Sequence, residues 1–268
     1  MILKDLFFLL LKKTKKIEIG HEKNELFQDI MLFVDRIKIE YSLGEFVSVQ
    51  LNDELPINEG IAKFEDNICY VQIGARGCRE RNELSEGEWA TVKNTIVHEL
   101  THAKNKADLT QDTRKRLEDN MYSLAYFAMQ LIDEFSAYKA ADTRFIQIKI
   151  GSEETILQKA IKQVWFDEGF LQTSKYNNTK RYEHFYDICT AIIVHSIRNK
   201  EFPSIPEIDK GYNDMCIRMI DILREYESKM PLDFKDYEKS GNELWDALTI
   251  MVPDSLIRNF KINVGIRF

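Results

Sequence analysis

The sequence predicts an α+β fold, with a small mixed sheet and two amphipathic helices in residues 1–150 and a mostly helical part over residues 151–268. Three patterns predict it. Short stretches between residues 45 and 73 alternate apolar and polar or run as β-rich apolar segments. Apolar residues then recur at helical spacing from Trp89 to Ala103 and from Leu124 to Tyr138. Beyond residue 153 helical periodicity dominates, punctuated by turn-forming residues.

The elements follow in chain order. Residues 6–11 form an apolar run flanked by Lys4 and by Lys12, Lys13, Lys15 and Lys16. Six residues are too few for a signal-peptide core, or for a membrane span of about 20. The run reads as a short helix packed on the body, the alternative being a weak membrane-surface or partner contact. Residues 24–40 carry helical periodicity. Phe46, Val47, Val49 and Leu51 alternate with polar neighbours and predict a strand over 45–51. A second strand is predicted at 61–64 and the clearest at 68–73, with nothing to say which lies at the edge. Gly74 and Gly77 break the chain. Ser85 and Glu88 fit a capping box that opens a helix with a stripe of Trp89, Val92, Ile96, Leu100 and Ala103.

The next helix is predicted from about 118 to 142. Helices are expected at 153–170, 180–199, 208–229 and 237–250, and the tail 256–268 reads as a weak strand. A boundary near Gly151 would divide the chain into two parts. Its linker is short, so the helical part is expected to pack on the first as one wall of a cleft.

The chemistry concentrates in Ile96-Val97-His98-Glu99-Leu100-Thr101-His102. Histidine is scarce, five in 268 residues, yet two of the five bracket a glutamate in an H-E-x-x-H pattern. A spacing of four is just over one helical turn, so His98 and His102 stack on one face beside the apolar stripe. Two imidazoles so placed can grip one Zn²⁺ and leave positions open, with Glu99 as the base that takes a proton from water. A catalytic zinc needs a third protein ligand. Glu134 is the candidate, a carboxylate beside an apolar face and flanked at helical spacing by Phe127, Leu131, Tyr138 and Ala141. Burying it alone would be costly. Asp133 points about a third of a turn away and is the weaker candidate.

H-E-L-T-H followed some 30 residues later by Glu134-Phe135-Ser136-Ala137-Tyr138 resembles the gluzincin branch of zinc metallopeptidases, and within it the minimal members of bacterial and phage genomes. The resemblance covers residues 67–142. It implies a zincin-like arrangement in which His98, His102 and Glu134 bind zinc, Glu99 is the general base, and an extended peptide substrate adds to a sheet edge above the metal. The chain departs from the pattern at Tyr138, where many members carry an Asp that orients a ligating histidine. Tyr138 reads either as an oxyanion donor or as a core tyrosine with its hydroxyl at the surface.

Accessory candidates come from the helical part. His184, or Tyr182 or Tyr186 beside it, could return to the cleft. His195 lies in an apolar run and reads better as a hydrogen-bonded core histidine, and His21 as solvated. Cys69, Cys78, Cys189 and Cys216 show no C-x-x-C spacing, which argues against a disulfide framework and a Cys₄ zinc site. Cys69 and Cys189 sit in apolar runs and read as buried thiols, and Cys78 as an inert loop thiol. A net charge of −7 disfavours nucleic acid as a partner. The resulting expectation is a cytoplasmic zinc metallopeptidase acting on a peptide or protein substrate. The alternative is a zincin-like non-catalytic module with a structural or sensory zinc that works through partner binding.

Overall fold

The computed structural model of the chain describes residues 25–142 (except 53, 58, 66, 67, 75 and 79), 178–199, 210–249 and 266–267. The fold is α+β. Helix α1 (Glu25–Glu40) buries Leu26, Ile30, Val34 and Ile37, a single apolar stripe at helical spacing. Strands β1 (Val47–Asn52), β2 (Gly60–Glu65) and β3 (Ile68–Gly74) form one sheet of order β1-β3-β2. β3 is central, parallel to β1 and antiparallel to β2. Its Cys69, Val71 and Ile73 are buried, the period-two face of a strand covered on one side. The sheet thus answers the edge question. Among the described residues β2 is the outer strand on the side of helix α2 (Glu86–Asp108), which packs against it.

Ser85 opens α2 with the expected capping box. Its hydroxyl accepts from the Glu88 amide at 3.3 Å, and the Glu88 carboxylate accepts from the Ser85 amide at 2.8 Å. Val92, Ile96, Leu100 and Ala103 of the predicted stripe are buried. Trp89 is half-buried beneath the Arg81 guanidinium, 5.1 Å from the ring centre.

The helix predicted from about 118 to 142 begins at Leu124, and a separate helix that was not predicted precedes it. Helix α3 (Gln111–Asp119) precedes α4 (Leu124–Asp142), and Tyr122, with φ +69°, turns the chain between them. Hydroxyl capping decides the division. Thr110 accepts from the Thr113 amide at the start of α3, and Ser123 from the Tyr126 amide at the start of α4.

Helices α5 (Asn178–Asn199), α6 (Lys210–Glu227) and α7 (Phe234–Leu248) pack against α4. They build a second core in which Phe127 stacks on Phe185 at 5.5 Å. The first core joins α1, the sheet and α2. The site described next lies where α2 of one core meets α4 of the other. The run at 6–11, His21, the boundary near Gly151 and the helix at 153–170 lie outside the described residues, as does most of the predicted tail strand. Arg267 makes an isolated parallel bridge to Ser123. No described helix is long and apolar enough to cross a membrane.

Candidate metal centre

On α2 the two motif histidines flank the buried stripe, and their Nε2 atoms lie 3.0 Å apart. Glu134 reaches them from α4, with Oε2 3.5 Å from His98 Nε2 and Oε1 3.9 Å from His102 Nε2. One ligand atom from each of the three lies within 4.8 Å of the others, close enough to hold a single metal ion. The donor set suits a cation. Two imidazole nitrogens facing each other beside a carboxylate can be bridged by a metal cation, or by a proton shared between the rings.

His102 is fixed from behind. Its Nδ1 donates to Asp133 Oδ2 at 2.8 Å, and Asn105 Nδ2 donates to the other oxygen, Oδ1, at 2.7 Å. A hydrogen on Nδ1 leaves the Nε2 lone pair for the metal. Glu134 is fixed from the helical part, where Tyr186 on α5 donates its hydroxyl to Oε1 at 2.8 Å. Tyr138 lines the same cavity one turn beyond Glu134. Its ring packs edge-on against His98 at 4.4 Å between centroids.

Glu99 is 6 % exposed and sits under β2. The Ala62 amide of β2 hydrogen-bonds to its carboxylate. Gly60 makes the approach possible, since a Cβ there would come within 2.7 Å of Glu99 Cγ and 2.8 Å of Thr95 Cγ2. The Gly74 amide donates to the Glu59 carbonyl, and Glu59 pairs opposite Gly74 one step beyond the Gly60–Ile73 pair. Antiparallel alternation therefore aims the backbone groups of Gly60, Ala62 and Phe64 away from β3, to the outer edge. That edge lines a cavity of about 840 Å³ together with α2, α4 and α5.

The electrostatics follow from crowding three carboxylates around two imidazoles. Burial raises Glu99 to about 7, against the pull of His102 and the Ala62 amide and with the push of Glu134 and Asp133. Burial likewise raises Glu134, opposed by His102 and the Tyr186 hydroxyl. Burial pushes His102 down, but Asp133, Glu134 and Glu99 outweigh it and hold the imidazole up at about 10. His98 is driven well below the usual histidine range by burial and by charge on His102. Without a metal, one proton on His102 serves as the pocket's cation.

The structure brings together His98, Glu99, His102, Glu134 and Tyr138. His184 lies on α5, but its side chain is outside the described residues. Of its two tyrosine neighbours, Tyr186 reaches the centre, while Tyr182 donates to Gln130 and packs edge-on against Tyr122. His195 is 4 % exposed in the helical part. The orienting roles of Asp133 and Asn105 and the clearance at Gly60 were not read from the sequence. The available signal was spacing: Asn105 is three residues past His102, and Asp133 sits next to the candidate ligand. Burial raises Cys69 and Cys216 to about 12 and Cys189 higher still, leaving them inert as thiolates. Comparison with protein-family models, curated proteins and solved structures found no match to this chain.

Proposed function

We propose that this chain is a zinc metallopeptidase of gluzincin type, acting on a peptide or protein substrate in the cytoplasm. One observation carries the reading: Glu134, from a separate helix, brings its carboxylate to the two Nε2 atoms of the H-E-x-x-H helix. With one ligand atom taken from each residue, all three lie within 4.8 Å of one another, a spacing that a single ion could bridge. Two nitrogens and one oxygen also form a donor set that zinc favours. Bound by these three, the ion supplies Lewis acidity to a water and to the scissile carbonyl.

The chain's own residues supply the rest. Glu99, buried under β2 beside the two histidines, takes the proton from the attacking water and passes it to the leaving amine. Asp133 keeps the His102 proton on Nδ1. The outer edge of β2 offers backbone groups to an extended peptide, which fixes the scissile bond in register over Glu99. Tyr138, beside His98, offers its phenol to the oxyanion that forms on the substrate. An open cavity at the ligand cluster favours catalysis over a purely structural site, which would be closed.

The test is metal removal. Peptide hydrolysis should vanish with a chelator and return with Zn²⁺, while the far-ultraviolet circular dichroism stays unchanged because both cores are complete without the ion. Loss of the helical signal on chelation, with no hydrolysis under any condition, would instead mark a structural zinc.

A further inference from the structure

On α2, one turn before His98, Asn94 is 4 % exposed, and neither its Oδ1 nor its Nδ2 has a hydrogen-bond partner. Leaving a carboxamide buried and unpaired is expensive, because both its donor and its acceptor lose water and gain nothing. Asn94 lines the same cavity as the metal centre, as does Thr190 on α5, whose buried hydroxyl also lacks a partner. Thr91, Thr95, Gly60 and Glu59 border the cavity with it.

We infer that Asn94 is a substrate-binding residue, and that its carboxamide pairs with an amide group of the peptide about two residues from the scissile bond. The inference rests on the peptidase reading and extends it. A carboxamide offers an N–H donor and a C=O acceptor side by side, and its complement is either a primary amide side chain or the N–H and C=O that one residue of an extended peptide presents on the same side. The distance follows from helix geometry. Four residues of α2 rise ~6 Å, and an extended peptide covers ~3.3 Å per residue. A peptide lying along the outer edge of β2 and over His98 therefore carries its second residue from the scissile bond past Asn94. The amide comes either from the substrate backbone or from an Asn or Gln side chain at that position. In the free protein the unpaired carboxamide costs stability, and that cost is recovered when substrate binds.

Two variants and two readouts test this. Asn94→Leu keeps the branching and the number of side-chain heavy atoms and removes the polar ones, so its melting temperature without substrate should rise by about 2–4 °C. Its KM for a cleaved peptide should rise about tenfold or more with kcat little changed, and the zinc-loaded Glu99→Gln protein carrying the same change should bind that peptide correspondingly more weakly. Asn94→Ala, the smaller change, should reproduce the KM effect. A depsipeptide with an ester at that position, and a peptide with Leu replacing its Asn or Gln, separate the two sources. The one that no longer distinguishes wild type from Asn94→Leu identifies the amide. A falling melting temperature in Asn94→Leu, or an unchanged KM in both variants, overturns the inference while leaving the peptidase reading intact. If wild type cleaves no peptide in its zinc-loaded form, the peptidase reading fails and this inference with it.

Discussion

Asp133 Oδ2 accepts from His102 Nδ1 at 2.8 Å, while the neighbouring residue, Glu134, sends its carboxylate to the opposite side of the same imidazole. Adjacent residues on α4 thus hold both edges of one ring. Tyr138 stands four residues after Glu134, and the carboxylate that orients His102 comes instead from Asp133, one residue before Glu134.

Asp133→Asn should therefore keep about one zinc per chain but weaken its binding 10- to 100-fold, since the amide no longer selects the Nδ1–H tautomer. A chelator-competition titration measures it. Loss of all zinc would make Asp133 a ligand, and unchanged affinity would remove it from the site.

Tyr186 ties the helical part to the metal centre through Glu134 Oε1. Tyr186→Phe should lower zinc affinity about tenfold with the fold intact, because one oxygen of the ligand carboxylate loses its fixed partner. Zinc competition alongside thermal melting separates this from unfolding.

How much of this was legible follows from where each signal resides. The three strands and the paired histidines came from local periodicity and spacing, which short windows of sequence carry. Glu134 could be picked because its flanking apolar residues made an isolated carboxylate costly. The division of α3 from α4 was hidden, because Thr110 and Ser123 act as caps only in a backbone conformation that periodicity does not report. Gly60 was hidden for a different reason: its lack of a side chain matters only because Glu99, 39 positions later, folds against it.

Gly60→Ala tests that contact. A methyl group 2.8 Å from Glu99 Oε1 must push the carboxylate aside. Peptidase kcat should fall about 100-fold, as expected for a misplaced catalytic group, with zinc content unchanged. Wild-type kcat would show that β2 can retreat without cost.

Thiol labelling checks the cores independently of any chemistry at the metal. Cys69, Cys189 and Cys216 are buried and only Cys78 is partly exposed. A native-state titration with a thiol reagent should modify about one thiol quickly and four after denaturation. Rapid modification of Cys189 or Cys216 would contradict the packing of α5 and α6 against α4.

The most direct measurement compares wild type with Glu99→Gln, each assayed for bound zinc and for hydrolysis of a peptide library on the same sample. Glutamine keeps the shape of the buried side chain and loses the base. Both proteins should carry about one zinc per chain, and hydrolysis should fall at least 100-fold in the variant. Equal hydrolysis by the two zinc-loaded proteins would contradict it.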